Sequence, residues 1–265
     1  MDLQLKGKLA LISGSTAGIG YAIAESLARE GCRVIVNGRT QKRVDVTLAK
    51  LLNSLGDTAD AVGVAADLGT AEGVGQMVAR FPQVDILVNN LGIFEPKTFE
   101  DIPDEDWLRF FEVNVLSGVR LSRHYLPRMK AAGWGRIIFI SSESAVQIPA
   151  EMIHYGMTKT AELAISRGLA ETTAGTGVTV NAVLPGPTAS EGVEGFVDNM
   201  ATTRGTDRST IEREFFHNVR PSSLLRRFAT PEEVAAMVTF VASPLSAATN
   251  GAALRVDGGV VRSII

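Results

Sequence analysis

The sequence predicts an α/β fold: a doubly wound parallel sheet of about seven strands with helices on both faces. Two observations carry that expectation. Short apolar runs alternate with longer stretches of helical spacing along the 265 residues, and within each run apolar residues follow one another instead of alternating with polar ones. A strand that is apolar on both sides must be covered on both, and parallel strands need a crossover between them, so the helices belong above and below the sheet.

The expected strands are Leu9 to Ile12, Arg33 to Val36, Ala61 to Ala65, Ile86 to Val88, Arg136 to Ile140, Val178 to Leu184 and Ala252 to Val256. Helical spacing marks Ile19 to Arg29, Val44 to Leu55, Asp106 to Met129, Tyr155 to Thr173 and Pro231 to Ala242 between them. With 45% hydrophobic residues and no linker or charge block dividing it, the chain reads as a single domain over residues 1–265. One stretch breaks the rhythm: Ala189 to Leu225 is polar, contains glycine and is helix-like only in parts. A long insert after a strand is expected to act as a substrate lid. Phe196, Met200, Phe215 and Phe216 offer it apolar contact with substrate, or pack the lid itself.

Composition narrows the partners. A net charge of −3 gives no electrostatic footprint for nucleic acid or an anionic membrane. There is no 18-residue apolar run and no apolar leader at the N-terminus, so cytoplasmic residence is the default expectation. Cys32, the single cysteine, precedes the apolar run Val34 to Val36 and reads as a core residue. His124, His154 and His217 are scattered, with no carboxylate or cysteine at metal-ligand spacing, so no metal is expected. A hydrolase reading lacks its Gly-x-Ser-x-Gly nucleophile turn.

In a sheet of this kind ligands bind beyond the carboxyl ends of the strands. Directly after the first strand stands Gly14-Ser15-Thr16-Ala17-Gly18-Ile19-Gly20, which runs into a helix. Gly14 permits the turn, Gly18 lets backbone amides approach a pyrophosphate, and Gly20 lets the helix pack close to the strand. The helix N-terminus then adds amide donors and a positive dipole end. After the second strand comes Asn37-Gly38-Arg39-Thr40, without the acidic residue that would bind a ribose 2′-hydroxyl. A guanidinium there favours a 2′-phosphate, hence NADP over NAD; the alternative is an exposed arginine in a turn. Asp67, followed by Leu68, is placed to meet an adenine edge or to cap the next helix.

Tyr155 and Lys159 lie four apart in an expected helix, with Ser142 thirteen residues upstream of the tyrosine. That spacing puts phenol and ammonium on one helix face, where a cation makes a phenol a usable acid or base nearer neutrality. With the glycine turn, Asn89-Asn90-Leu91-Gly92, Asn114 in Val113-Asn114-Val115, Asn181 to Thr188, Arg227 to Val234 and Val256-Asp257-Gly258-Gly259, the chain resembles the short-chain dehydrogenase/reductase family over practically its whole length. The resemblance implies a Rossmann-type fold. It also implies Tyr155 as acid in reduction and base in oxidation, Ser142 holding the substrate oxygen, Lys159 binding the nicotinamide ribose, and Asn114 holding a water that links Lys159 to solvent. Asn90 and Gly92 would line the cofactor cleft, and Thr188, after Pro185-Gly186-Pro187, would contact the carboxamide. Three departures stand out: Ser13 for threonine, Leu91 for the common alanine at the nicotinamide side, and Glu143 after Ser142, where it meets a polar substrate or only water.

The function expected is therefore NADP-dependent interconversion of a carbonyl and a secondary alcohol, with a small-molecule substrate. The alternatives are an NAD-dependent alcohol dehydrogenase and a nucleotide-sensing protein without turnover. The family resemblance implies a homotetramer or homodimer. Trp107, Phe110 and Phe111 are expected in the core or in a subunit contact.

Overall fold

The computed structural model describes residues 1–56 and 60–264, the side chain of Phe196 excepted. Strands β1 (Leu9–Ile12), β2 (Arg33–Gly38), β3 (Ala61–Ala65), β4 (Ile86–Asn89), β5 (Gly135–Ile140), β6 (Val178–Pro185) and β7 (Ala253–Val256) form one sheet in the order β3-β2-β1-β4-β5-β6-β7. Every pairing is parallel. The helices are α1 (Gly18–Arg29), α2 (Gln41–Leu55), α3 (Ala71–Arg80), α4 (Asp104–Phe110), α5 (Ser117–Ala131), α6 (Ile153–Glu171), α7 (Glu191–Arg204), α8 (Arg208–Glu214) and α9 (Pro231–Ala242).

Continuous apolar strands produce two cores because successive side chains point to opposite faces. Ala10, Ile12, Val34, Val36, Ile86, Val88, Ile138 and Ile140 pack with Ile23 and Leu27 of α1 and Val234 and Val238 of α9 on one face. Leu11, Ile35, Leu87, Ile137 and Phe139 pack with Val74 and Met77 of α3 and Leu121 and Tyr125 of α5 on the other. Each fully buried aliphatic side chain contributes about 1.5–3 kcal/mol, so the sheet is held from both sides. Cys32 is buried in the first core, and burial pushes its thiol up to about 12.

Two helical regions differ from expectation. α3 was not marked by spacing, because Gly73 and Gly75 interrupt its apolar pattern. Gly73 is required there: a Cβ would stand 2.0 Å from the Asp67 carbonyl oxygen. The single helix expected over Asp106 to Met129 is instead α4, a π-helical stretch Phe111–Leu116 and α5. α9 spans the expected residues and begins at a capping box between Thr230 and Glu233 with Pro231 in the first turn.

The strand order reverses between β1 and β4, and this opens a crevice between the segments that follow them. No helix among the described residues is long and apolar enough to cross a membrane.

Candidate active site

The turn after β1 is built by buried neutral hydrogen bonds. The Ser15 hydroxyl donates to the Ile12 carbonyl at 2.9 Å and accepts from Asn37 N at 2.9 Å, so this fully buried group braces the turn from inside. Asn37 accepts from Gly14 N at 3.1 Å and donates to the carbonyls of Val64 and Ala66, tying the ends of β1, β2 and β3 together. Ser13 accepts from the backbone amides of Asn90 and Leu91, each at 2.9 Å. Asn90 Nδ2 returns bonds to the carbonyls of Ser13 and Gly14. The segments after β1 and β4 are thus fastened across the crevice.

Gly14 has φ +64°, a left-handed conformation that glycine adopts without strain, and a Cβ on Gly20 would come within 2.5 Å of the Gly14 carbonyl oxygen. α2, α3 and α9 are capped by Thr40, Thr70 and Thr230, whereas α1 has no side-chain cap and no acid in its first turn. Its leading amides and dipole, with Thr16 and Ile19 beside them, suit an anionic group such as a pyrophosphate. Arg39 is exposed and carries no hydrogen bond or ion pair among the described residues. Asp67 is exposed and accepts from Gly69 N at 3.0 Å; the cap of α3 is Thr70, so the capping alternative for Asp67 falls away. Leu68 is buried beneath it. Leu91 packs against the second core and lies beside Gly14.

At the far side of the crevice, Pro185 ends β6, and Gly186 is pressed against the Asp257 backbone, where a Cβ would meet the carbonyl oxygen at 2.6 Å. Thr188 is buried and donates to the Gly186 carbonyl at 2.9 Å. Between these walls stand the four residues expected to act together. Ser142 follows β5, and Tyr155 and Lys159 lie near the start of α6. Asn114 sits inside the π-helical stretch, a local widening often found at functional sites. Asn114 accepts from Ile93 N at 2.8 Å and donates to the Ile93 carbonyl and to Thr158 Oγ1, both at 3.0 Å. A Cβ on Gly92 would lie 3.4 Å from Lys159 Nζ and 3.6 Å from Asn114 Oδ1, so the missing side chain leaves room beside both.

The Lys159 ammonium lies 5.8 Å from the Tyr155 ring centre. Burial pushes the Tyr155 phenol above its ordinary value; Lys159 opposes this, Glu143 adds to it, and a hydrogen bond with Ser142 pulls the other way. Burial works against the Lys159 charge, but Glu162 and Tyr155 together hold its pKa above the usual lysine value.

Three features had not been read from the sequence. Glu162 is buried at 1% exposure and receives Lys159 Nζ on both oxygens, at 3.0 and 3.1 Å. Its signal was present, a carboxylate three residues after the lysine on the same helix. Glu143 is buried rather than open to solvent: it accepts from Ser142 Oγ at 2.5 Å and pairs with Arg220 Nε at 3.2 Å. Arg220 also binds Glu151 at 3.1 Å. Phe94, half exposed, sets its ring edge-on to Tyr155 at 6.3 Å. Of the aromatic residues singled out earlier, Phe110 is core and stacks on the buried His154, Trp107 packs on the same histidine, and Phe111 is 39% exposed. Phe215 and Phe216 pack with Phe228, and Met200 packs with the small cluster of Val197, Ala201 and Ile211; the side chain of Phe196 lies outside the described residues.

Residues 14–261 match the family model described as enoyl-(acyl carrier protein) reductase. An uncharacterized oxidoreductase of Bacillus subtilis, YvaG, is 52% identical over 266 residues, covering 100% of both chains. The chain belongs to the short-chain dehydrogenase/reductase family. It is an oxidoreductase of that family, acting on hydroxyl or carbonyl groups. D-beta-hydroxybutyrate dehydrogenase of Cupriavidus necator is 35% identical over 97% of this chain and 99% of its own. Among solved structures, the L-sorbose reductase of Gluconobacter frateurii, complexed with NADPH and L-sorbose, superposes with a TM-score of 0.92 at 32% identity, covering 100% of both chains.

Proposed function

We propose that this short-chain dehydrogenase/reductase interconverts a small polar carbonyl compound and its secondary alcohol with NADP(H), using Tyr155 as the acid in reduction and the base in oxidation. The observation that carries the reading is the convergence of a phenol, a hydroxyl and an ammonium, with the ammonium beside Gly92 in the segment after β4. The bound nicotinamide supplies or accepts the hydride. Tyr155 gives its proton to the carbonyl oxygen as negative charge develops there, and Ser142, once its hydroxyl turns from Glu143, holds that oxygen. Lys159 stabilises the phenolate left behind and, on exchanging its bond to the Ile140 carbonyl, takes the ribose hydroxyls, while Asn114 holds a water that links Lys159 to solvent.

For the cofactor, Arg39, just after β2, is a guanidinium without a partner among the described residues and with no acid in the ribose position, which favours a 2′-phosphate. The turn residues Gly14, Ser15, Thr16, Gly18, Ile19 and Gly20 would carry the pyrophosphate. Asp67 and Leu68 would flank the adenine; Asn90, Gly92, Pro185, Gly186 and Thr188 would line the nicotinamide end. Residues 189–225 serve as the lid, latched by Arg220. The ion pair of Glu143 and Arg220 beside Ser142 makes that wall of the cleft polar, which suits hydroxylated substrates and agrees with the likeness to L-sorbose reductase. The exposed apolar side chains Leu108 and Phe111 on and just after α4 support assembly into a dimer or tetramer through that face.

An NADPH-consumption screen across sugars, simple ketones, 3-oxoacyl thioesters and steroids tests the proposal. Turnover concentrated among polar hydroxyketones is expected, and Tyr155→Phe removes it. NADPH binding with no turnover of any class would leave the non-catalytic reading standing.

A further inference from the structure

An ammonium has three N–H donors. In Lys159 all three are engaged: one goes to the Ile140 carbonyl at 2.9 Å and two reach the carboxylate oxygens of Glu162 at 3.0 and 3.1 Å. Both side chains are almost fully buried, at 5% and 2% exposure. A carboxylate in that position is costly unless it performs some task, because burying an ion pair gains little over packing apolar residues of the same size. The rest of α6 offers no structural reason for an acid here, since Leu163 and Leu169 of the same helix pack into the second core.

We propose that Glu162 is a positioning residue for the acid–base pair: it fixes the Lys159 ammonium through both carboxylate oxygens and, by its charge, sets how readily Tyr155 gives up its proton. A cation alone beside a phenol favours phenolate. A carboxylate bound to that cation cancels most of the field, so the Tyr155 proton is held more tightly and the tyrosine stays a proton donor to higher pH. This is the state that carbonyl reduction needs.

The ionisable groups acting on the trio are few. Among the described residues, Lys159, Glu143 and Glu162 act on Tyr155; Glu162 and Tyr155 act on Lys159; and Lys159 acts on Glu162. Glu143 comes from the turn after β5 and is itself paired with Arg220. Burial raises the Glu162 carboxyl to about 7, with Lys159 holding it down. Above that pH Glu162 is charged, which covers the range in which a phenol titrates.

The inference rests on the proposed role of Tyr155 only for its effect on turnover; the ionisation itself can be read without substrate or cofactor. The chain has three tyrosines, and ultraviolet absorbance reports each tyrosinate as it forms. Burial raises both Tyr21 and Tyr125, and the Tyr155 contribution is the part lost in Tyr155→Phe. The full chain is titrated from about pH 8 upward, past the ordinary phenol value of about 10 because burial raises Tyr155, as far as the fold survives. Glu162→Gln keeps the shape and an acceptor but loses the charge, and the Tyr155 transition is expected to fall by on the order of one pH unit, about tenfold in acidity. Glu162→Asp, still charged, moves it less than Gln does. Coincident curves for wild type and Glu162→Gln overturn the proposal. If Glu162→Gln does not fold, Glu162→Met, which fills the same volume without a charge, replaces it: its Tyr155 transition must also fall below that of wild type, and coincidence again overturns the proposal. An unshifted titration in an active enzyme removes the role of Glu162 and leaves the proposed reaction standing. A shifted titration in a chain that reduces nothing does the reverse.

Discussion

The turn after β1 and the segment 189–225 face each other across the same crevice, yet they are held by opposite means. The turn is stitched by buried neutral groups: Ser13, Ser15, Asn37 and Asn90 exchange hydrogen bonds with one another's backbones at about 3 Å. The segment has only a small apolar cluster of its own around Val197, Ala201 and Ile211, and its ion pairs, such as Arg204 with Glu214 and Arg208 with Glu194, lie between half-exposed side chains. Such pairs are worth about 0–1 kcal/mol each, whereas leaving a buried polar group without its partner costs roughly 1–3 kcal/mol. The polar bonds of the turn therefore hold it more firmly than those of the segment hold the segment. Arg220 is the exception, a buried arginine that ties the segment to Glu143 beside Ser142. This division suits a site that binds a fixed cofactor shape on one side and opens for substrate on the other.

The largest expected effect touches neither holding device. Tyr155→Phe removes one oxygen and is expected to lower turnover by about 10² to 10⁴, the range for losing a positioned acid or base. NADPH binding and melting temperature should stay near wild type. A variant that also lost NADPH would mean that the two sides of the crevice are not separable. Next comes Arg220→Ala. It leaves the Glu143 carboxylate buried beside Ser142 with its cation gone; removing one partner of such a pair costs about 3 kcal/mol or more where the site stays closed. With residues 189–225 acting as the proposed lid, a raised KM and faster proteolysis of that segment are expected alongside the loss of stability. Unchanged KM, cleavage and melting would show that the segment has no single latch.

The same contrast explains what could be read from the sequence. The strands were legible to within one or two residues because a continuous apolar run is a local signal, as in Leu9–Ile12 and Ala61–Ala65. The glycine turn was legible for the same reason, since the left-handed backbone of Gly14 and the approach of Gly20 to the Gly14 carbonyl are properties of the turn itself. α3 was hidden because Gly73 and Gly75 interrupt its apolar pattern, Gly73 being fixed by the closeness of the Asp67 carbonyl and not by helix propensity. The break around Asn114 was hidden because a π turn leaves the apolar spacing nearly intact. The pairing of Glu143 with Arg220 spans 77 residues and leaves no trace at either position. Glu162 was visible in principle, three residues after Lys159, but on a buried helix face an acid reads as an irregularity until its partner is seen.

On the rigid side, Arg39→Ala sharpens the comparison at an intermediate magnitude. A charge-assisted hydrogen bond is worth about 1.5–3 kcal/mol, so NADPH is expected to bind roughly ten- to a hundredfold more weakly while NADH binding stays put. The turn itself should be untouched, because Arg39 is exposed and braces nothing. Equal weakening of both cofactors would mean that Arg39 supports the fold of the turn. A strong NADH preference unaffected by the substitution would remove the 2′-phosphate reading.

The smallest effect is expected from Arg208→Ala, and its smallness is the point. Arg208 pairs with Glu194 and Asp198, bridging α8 to α7 at the same half-exposed surface. Two ion pairs are lost, one more than a naive count would assign to Arg204, yet both partners are left in water and not in the protein interior. Solvent screening reduces such pairs to a net change of within about 0.5 kcal/mol, a shift in melting temperature of about 2 °C or less. Arg220 and Arg208 then differ in consequence though each holds two carboxylates, because only one of them leaves a carboxylate buried when it is removed. A drop after Arg208→Ala as large as that after Arg220→Ala would show that α7 and α8 are rigidly fastened, and the contrast between a fixed cofactor side and a loosely held substrate side would fail.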